Sequence, residues 1–256
     1  MDIAVLGATG TIGRLIVQEL ERAGHTVRRL SRAAGVDARS GEGLDVALTG
    51  AQIVVDAMNI ATMNGDAAVS YFTRTAQNVA RAAERAGVRR IVCVSIHGVT
   101  DPAVSRGHGY YRGKGAQERA YLAARVPVTV IRSAQWFELA EAIVPRGGIG
   151  PVAVVPNMRM APLAASSAAR LIGEEIGRED GADAHGDEVL SLRGPEEMTM
   201  VQLARRTVAR RGGIGGRRPR LYLQLPLFGR AIARGGLIPR EGAVDPLTLE
   251  EWLERS

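Results

Sequence analysis

One lysine stands in a chain whose other basic residues are all arginines, and a tyrosine precedes it by four positions. Lysine and arginine together number 33 in the 256 residues, and Lys114, in the stretch GYYRGKGAQE, is the single lysine. Residues four positions apart share a helix face, so the ammonium of Lys114 and the phenol of Tyr110 are expected to point the same way. An ammonium favours the phenolate, which predicts a lowered pKa for Tyr110 and a role as general acid or base.

Three neighbouring residues bear on this pair. Ser95 lies at the end of the apolar run IVCVSI, a predicted strand, and its hydroxyl is expected to hold the oxygen on which Tyr110 acts. Tyr111 is a rival phenol, three residues before Lys114. The structural alternative makes Lys114 a surface lysine of a helix and Ser95 an ordinary strand-end serine. Cys93, in the same apolar run, is predicted to be a buried and inert thiol.

A glycine-rich turn connects the first predicted strand, DIAVL, to the first predicted helix. Gly7, Gly10 and Gly13 follow one another at a spacing of three in GATGTIGR. Such a turn is typical of dinucleotide binding, because free N–H groups at the helix N-terminus face the pyrophosphate. Gly7 permits the tight turn, Gly10 the approach of the phosphates, and Gly13 close packing of helix on strand. The cofactor contacts predicted here are Gly7, Thr9, Gly10, Thr11 and Ile12.

The end of the second predicted strand indicates which dinucleotide binds. NAD-binding proteins usually carry an acidic residue there, about 20 positions after the glycines, which holds the ribose 2′-hydroxyl. This sequence has VRRLSR instead, and Ser31 and Arg32 stand where the 2′-phosphate of NADP would lie. A guanidinium is well suited to a phosphate, so NADP(H) is favoured over NAD(H). An exposed loop arginine without that role is the alternative.

Strand and helix patterns alternate over the first half of the chain. Strands are predicted at 2–6, 25–31, 51–59, 89–96 and 126–133, and helices at 11–24, 69–88 and 114–125. This alternation predicts an α/β fold, a Rossmann-type doubly wound parallel sheet that binds ligands at the carboxyl ends of its strands.

After about residue 134 the alternation weakens. Helices are predicted at 162–178, at 199–211 and at the end of the chain, where Thr199 with Gln202 and Thr248 with Glu251 make capping boxes. We therefore expect one domain over 1–256, in which residues of about 134–256 form a small substrate cap.

Composition and charge exclude several classes of protein. No basic segment precedes an apolar one at the N-terminus, and no apolar run reaches the roughly 18 residues needed to cross a bilayer. A cytoplasmic protein without a membrane partner is expected. The net charge is +6, but most arginines alternate with acidic residues on predicted helices, which is typical of solvated faces and not of a nucleic-acid surface. No cluster has metal-ligand spacing, so no metal is expected.

The densest basic segment, RRGGIGGRRPR at 210–220, has two interpretations. It contacts a phosphate, or it is a mobile glycine-rich loop.

Taken together, these motifs resemble the short-chain dehydrogenase/reductase superfamily. The similarity rests on GATGTIG, Ser95, the YxxxK pair of Tyr110 and Lys114, and the continuation KGAQE. The later segments VTVIRSAQWFE, LRGPEEMTMVQLARR and TLEEWLE resemble the atypical, NmrA-like branch. Two departures stand out: Ser133 replaces the usual proline after Arg132, and the segment of the third strand, VDARSGEGLDVAL, is short.

The resemblance implies an NAD(P)-binding Rossmann fold with a small cap that binds substrate. It implies that Tyr110 is the general acid or base, that Lys114 also hydrogen-bonds the nicotinamide ribose, and that Ser95 orients the substrate. Met58 and Asn59, at the end of VVDAMN, fall where the family contacts the cofactor near the ribose. Family members often pair through helices beside the active-site helix, which makes a homodimer one candidate assembly, while the sequence itself leaves the oligomeric state open.

The function that these residues predict is an NADPH-dependent oxidoreductase that reduces an apolar carbonyl, enone or quinone. Two alternatives stay open: a non-catalytic regulatory protein that senses NADP(H), and an epimerase or dehydratase with a tightly held cofactor. His97 and His108 flank the site in sequence and are expected to be loop histidines. The expected wall of the substrate pocket is apolar and adaptable, with burial in the core as the alternative: Met63, Trp136, Phe137, Met158 and Met160.

Overall fold

A seven-stranded parallel sheet with flanking helices forms the centre of the fold. The computed structural model describes residues 1–60, 62, 64–178 and 186–255. The strands are β1 (Asp2–Leu6), β2 (Thr26–Leu30), β3 (Ile53–Asp56), β4 (Arg90–Ile96), β5 (Val128–Ser133), β6 (Gly148–Ile149), β7 (Val152–Pro156), β8 (Arg159–Met160), β9 (Glu188–Arg193), β10 (Met198–Thr199), β11 (Leu221–Leu225) and β12 (Ala243–Val244). The order in the large sheet is β2-β1-β3-β4-β5-β9-β12.

The helices are of very unequal length. They are α1 (Thr11–Arg22), α2 (Leu44–Leu48), α3 (Gly65–Arg85), α4 (Pro102–Ser105), α5 (Gly109–Leu122), α6 (Leu139–Ile143), α7 (Ala165–Arg178), α8 (Met200–Arg211), α9 (Arg230–Ala233) and α10 (Leu249–Arg255), with one turn of 3-10 helix at Arg32–Ala34. Within the described ranges, no helix is long and apolar enough to cross a membrane.

The predicted Rossmann-type fold is confirmed, and the continuous apolar runs of its central strands have a simple cause. Parallel strands with both faces covered carry apolar residues at every position instead of at alternate ones. All four residues of β3 are buried, as are the last four of β1. On α3, Phe72, Ala76, Val79 and Ala83 form the buried stripe that the sequence periodicity predicts.

Two boundaries differ from the prediction in ways that matter for the site. Helix α5 begins at Gly109, ahead of the predicted start at Lys114, and so includes Tyr110. The large sheet ends at β2, and the chain from β2 to β3 carries the short helix α2 and, among the residues described there, no further strand. The prediction that the segment VDARSGEGLDVAL is too short for the strand usual in the family is therefore confirmed.

The chain folds into two compact units, each made of three segments. The first comprises Met1–Ile96, Gly109–Arg132 and Ala168–Leu190, and the second comprises His97–His108, Ser133–Ser167 and Ser191–Ser256. The first unit thus includes most of α7, which lies inside the segment predicted as a cap. The second unit contains two small sheets, β10-β8 and β11-β7-β6.

Within the second unit, both predicted capping boxes form. The Thr199 hydroxyl accepts the Gln202 N–H, and the Gln202 side chain accepts the Thr199 N–H. The glycine- and arginine-rich segment folds as a tight turn in which Ile214 and Arg217 form a β-bridge. The Arg217 guanidinium also donates to the Gly148 carbonyl. The segment at 210–220 thus has defined contacts, and both of its predicted interpretations stay predictions.

Candidate functional site

The glycine turn has the close approaches that its sequence predicts. Gly7 has a φ of +74°, and a side chain there would lie 2.7 Å from the Ala57 carbonyl oxygen. A side chain on Gly13 would lie 2.1 Å from the Gly7 carbonyl oxygen. The Gly10 N–H donates to that same oxygen at 2.9 Å and closes the turn. A larger residue at Gly7 would push the turn away from the backbone that follows β3, and one at Gly13 would push α1 away from the turn.

The N-terminus of α1 is left open to an anion. Its cap residue, Gly10, supplies no side-chain hydrogen bond, and no acidic residue occupies the first turn. The first helical bond is from the Arg14 N–H to Gly10, so the N–H groups of Thr11 and Ile12 precede the helical ladder. Thr9 and Thr11 are exposed beside them. Uncapped N–H groups and the helix dipole together fit a pyrophosphate.

The residues predicted to bind the ribose near β3 lie at the same edge of the sheet as the glycine turn. Leu6 of β1 is in register with Asp56 of β3, so the turns that follow these strands are neighbours. The Met58 N–H donates to the Asp56 carboxylate at 2.8 Å. Asn59 is exposed, and its side-chain oxygen accepts the Ile60 N–H at 2.7 Å.

The residues predicted to select NADP follow β2. Ser31 is half-buried and precedes the 3-10 helix, whereas Arg32 is exposed. Arg32 lines a shallow depression together with Gly35, Asp37 and Glu42. Its guanidinium attracts a phosphate, and the two carboxylates of the depression oppose one.

Lys114 is a buried residue, with 3% of its surface exposed, and its ammonium points into a polar network. Nζ donates to the Val94 carbonyl at 2.7 Å and to the Gln117 side-chain oxygen. It also lies 4.9 Å from the centre of the Phe72 ring. The interpretation of Lys114 as an ordinary surface lysine is therefore wrong.

Gln117 links this ammonium to a buried carboxylate. Its amide nitrogen donates to Asp56 Oδ2 at 2.7 Å, and the Tyr121 hydroxyl donates to the same oxygen at 2.7 Å. Asp56, Gln117 and Tyr121 are fully buried. A buried charge is tolerated when it is paired and hydrogen-bonded. The amide of Gln117 connects the cation of Lys114 to the anion of Asp56 without direct contact between the two.

The predicted lowering of the Tyr110 pKa is wrong. Burial raises the pKa of the Tyr110 phenol above its usual value near 10, because desolvation disfavours the phenolate. Burial also raises the pKa of the rival phenol, Tyr111. The physical reason is that the protein shields both rings from water: Tyr111 is buried, and the half-buried Tyr110 packs against the Phe72 ring. Tyr110 therefore holds its proton at neutral pH.

Ser95 belongs to a second buried network. Its hydroxyl donates to Glu118 Oε1, and Arg132 donates to the same carboxylate through Nε and through Nη2, the latter at 2.6 Å. Glu118 is fully buried and Ser95 is 2% exposed. The predicted contact of Ser95 with substrate stays a prediction, and it requires the hydroxyl to leave Glu118. Cys93, two residues before Ser95 on β4, is fully buried as predicted.

Both networks contain residues that the sequence analysis did not select. Gln117, Glu118 and Tyr121 lie three, four and seven positions after Lys114, which is one helix face. That spacing could have indicated a shared polar face on α5, and Asp56, a carboxylate directly after the apolar run IVV, could have indicated a buried charge. Neither pattern predicts which residues contact each other.

The predicted wall of the substrate pocket lies in the second unit and is largely core. Phe137, Met158 and Met160 are at most 1% exposed, so their assignment to the pocket wall is wrong and the core alternative holds. Trp136 is half-buried, and its indole N–H donates to the Ser133 hydroxyl at 3.0 Å. Met63 lies outside the residues that the structure describes.

The two histidines are loop residues of the second unit, as predicted. His97 Nδ1 lies 3.4 Å from the Ser191 hydroxyl. The His108 ring lies 4.4 Å from the Phe228 ring, and burial lowers the pKa of His108.

The fold and the glycine turn define a dinucleotide-binding protein. The chain belongs to the NAD(P)H-binding family, whose pattern it matches over residues 7–142. This membership confirms the resemblance to the NAD(P)-binding short-chain dehydrogenase/reductase superfamily. Assignment to the NmrA-like branch stays a prediction. A comparison with curated protein sequences finds no significant match.

Solved structures with the same fold include an oxidoreductase complexed with NADPH and a superfamily protein with bound NAD. The NADPH-dependent quinone oxidoreductase of Escherichia coli, complexed with NADPH, is 18% identical with a TM-score of 0.70, over 99% of each chain. A dTDP-4-dehydrorhamnose reductase of Clostridium acetobutylicum is 16% identical with a TM-score of 0.78, over 99% of this chain and 98% of that one. A short-chain dehydrogenase/reductase superfamily protein from Agrobacterium tumefaciens with bound NAD is 18% identical with a TM-score of 0.67, over 100% of this chain and 95% of that one. At such identities the likeness concerns the fold.

The amide link between Lys114 and Asp56 can be tested by removing it. Leucine at position 117 can neither accept from the ammonium nor donate to the carboxylate, so two buried charges each lose a partner. We expect Gln117→Leu to lower the free energy of unfolding by about 3 kcal/mol, measured by urea denaturation.

Gln77→Leu is the matched control, because Gln77 is an exposed glutamine on α3. Its effect should stay within about 0.5 kcal/mol. Equal stabilities for the two variants would contradict the role given to Gln117.

Proposed function

We propose that the protein is an NADPH-dependent reductase in which Tyr110 donates the proton. The observation that carries the proposal is the placement of Tyr110 and Lys114 four residues apart on α5, in the same unit as the glycine turn. The membership of the NAD(P)H-binding family supports it.

The residues of this chain would act through binding, orientation and one proton transfer. Bound NADPH supplies the hydride that makes the substrate oxygen basic. Tyr110 keeps its proton because burial raises its pKa, and an alkoxide is basic enough to take that proton. A lysine ammonium has three N–H donors, and Lys114 uses two on Val94 and Gln117. The third is left for the nicotinamide ribose, the contact that the family resemblance implies.

The substrate class we propose is an apolar carbonyl, enone or quinone. The quinone oxidoreductase of E. coli shares the fold over the whole chain, which supports a quinone as the first compound to test. The Tyr110 ring packs edge-on against Phe72, with 5.9 Å between the ring centres, and an aromatic surface beside the phenol favours a substrate that loses little hydration on binding.

One observation favours a second candidate, a protein that binds NADP(H) without turnover and reports its redox state. The Ser95 hydroxyl donates to Glu118 and is almost fully buried. A serine held in this way cannot orient a substrate oxygen without breaking a charge-assisted hydrogen bond. A sensor needs no such movement, and the same glycine turn would serve it.

Replacing the proposed acid separates the two candidates. We expect Tyr110→Phe to lower kcat by at least about 100-fold, the usual contribution of general acid catalysis. The dissociation constant for NADPH should change by less than about twofold, because the substitution leaves the glycine turn intact. The measurement is NADPH absorbance with a panel of quinones, enones and carbonyl compounds.

Tyr111→Phe is the control for this experiment, because Tyr111 is the adjacent buried phenol on α5. Activity lost in Tyr111→Phe and kept in Tyr110→Phe would assign the proton to the other tyrosine. Tight binding of NADPH with no consumption across the whole panel would support the sensor.

The pH profile of the wild-type protein tests the direction of the Tyr110 shift. A raised pKa means that the protonated phenol persists to higher pH. We expect kcat/KM to show no alkaline decline below about pH 10, the ordinary pKa of tyrosine. A decline with its midpoint near pH 8 would instead support a pKa lowered by Lys114.

Selection of NADPH over NADH is proposed to depend on Arg32. Loss of a guanidinium that contacts the 2′-phosphate removes a charge-assisted hydrogen bond of about 1.5–3 kcal/mol. Arg32→Ala should therefore weaken NADPH binding by roughly 10- to 100-fold and leave NADH binding almost unchanged.

The control is Arg29→Ala, because Arg29 of β2 already pairs with Glu21 at 2.8 Å. Fluorescence titration with each cofactor gives the ratio of dissociation constants. A ratio that Arg32→Ala leaves unaltered would remove this arginine from cofactor selection.

A further inference from the structure

Strand β11 in the second unit exposes an apolar face. Leu221, Leu223 and Leu225 are exposed to 62%, 56% and 42% of their surface, and alternate residues of a strand share one face. Ile149 of β6 is 88% exposed and is in register with Val152, which pairs with Leu221. An apolar row of this kind on a soluble domain marks a contact surface.

The same strand is also an open edge. Among the strands described, only β7 pairs with β11, in parallel. The Leu221 N–H donates to Pro151, and the Leu225 carbonyl accepts from Asn157. In a parallel ladder the residues between such positions point their N–H and C=O groups to the other side. Tyr222 and Gln224 therefore present their backbone groups to the free edge, where a further strand can add.

We propose that β11 pairs with β11 of a second copy of this chain, antiparallel, about a two-fold axis at Leu223. A closed symmetric dimer brings the same strand from both copies together in opposite directions. With the axis at Leu223, Tyr222 faces Gln224 of the second copy on both sides of the axis. These are the residues with outward backbone groups, so each pair exchanges two hydrogen bonds.

The side chains fit this register. Leu223 faces Leu223 of the second copy across the axis, and Leu221 faces Leu225 of the second copy. The leucines of both chains therefore form one apolar row. Arg220 then faces Pro226. Moving the axis to Leu225 would set Gln224 against Pro226 of the second copy, which has no N–H to donate, and would oppose Leu221 to a residue beyond the end of β11. The register centred on Leu223 is therefore favoured, because it pairs all five residues of the strand.

A second copy fits this surface better than a lipid surface does. The outward N–H and C=O groups need hydrogen-bond partners, which a strand provides and hydrocarbon does not. The strand contributes five residues from each copy, fewer than the roughly 20–30 per partner in stable interfaces. We therefore expect an equilibrium between monomer and dimer that shifts with concentration. This inference does not depend on the proposed reductase activity.

Self-pairing at residue 223 predicts an unusual pattern of rescue. Sedimentation velocity from micromolar to hundreds of micromolar should show a growing dimer fraction for the wild type. Leu223→Lys and Leu223→Glu should each be monomeric, because each puts two like charges against one another. An equimolar mixture of the two should form dimer again. The control is Val46→Lys, at an exposed valine of α2, which should dimerise as the wild type does.

A disulfide tests the register directly. Opposed residues of a non-hydrogen-bonded antiparallel pair have Cα atoms about 4.5 Å apart, within the range that a disulfide spans. Leu223→Cys should therefore give a covalent dimer on oxidation. Leu225→Cys should not crosslink to itself, because it faces Leu221. The native thiol, Cys93, is fully buried and does not compete.

Three results would overturn the proposal. One is a wild type that stays monomeric over the whole concentration range. Another is a dimer that Leu223→Lys leaves intact, as pairing through helices would give. The third is a monomer that binds vesicles of phosphatidylserine and phosphatidylcholine through the leucines of β11, with binding lost in Leu223→Glu.

Discussion

The candidate active site is positioned by the buried ammonium of Lys114, which must find hydrogen-bond acceptors inside the protein. An unpaired charge in a dry interior is costly, and Lys114 meets this need with the Val94 carbonyl and the Gln117 amide. Gln117 in turn donates to Asp56. Because Val94 lies on β4 and Asp56 on β3, these bonds tie one face of α5 to two strands of the sheet. Tyr110, on the first turn of α5, is placed by the same attachment.

This constraint also explains why Tyr110 differs from the expectation. The Phe72 ring beneath the Lys114 ammonium also packs against the phenol, and desolvation raises the pKa of Tyr110. Arginine would fit poorly at position 114, because its planar fork has donors in fixed directions. A compact ammonium can reach a backbone carbonyl and an amide at once. The single lysine of the chain is thus explained by the geometry of its acceptors as well as by any part in chemistry.

Local rules were enough to predict the glycine turn, because Gly7 has a positive φ and Gly13 lies against the Gly7 carbonyl, both within the turn itself. They were also enough for the strand alternation. They failed for the networks, since Gln117 and Asp56 are 61 residues apart and no periodicity joins them. They misplaced the start of α5 because glycines weaken its helical pattern. Gly113 is needed there, as a side chain would lie 2.8 Å from Ala68 of α3. Apolar residues such as Met158 suit a pocket or a core equally.

The two units depart from the usual distribution of residues in opposite directions. In the first, charged side chains are buried, and each is balanced: Lys114 with Asp56 through an amide, and Arg132 with Glu118 directly. In the second, leucines of β11 are exposed beside an unpaired strand edge. Buried charge and exposed apolar surface each carry a cost in stability. The two proposals, cofactor binding in the first unit and self-pairing of β11 in the second, give each of these costs a physical reason beyond folding.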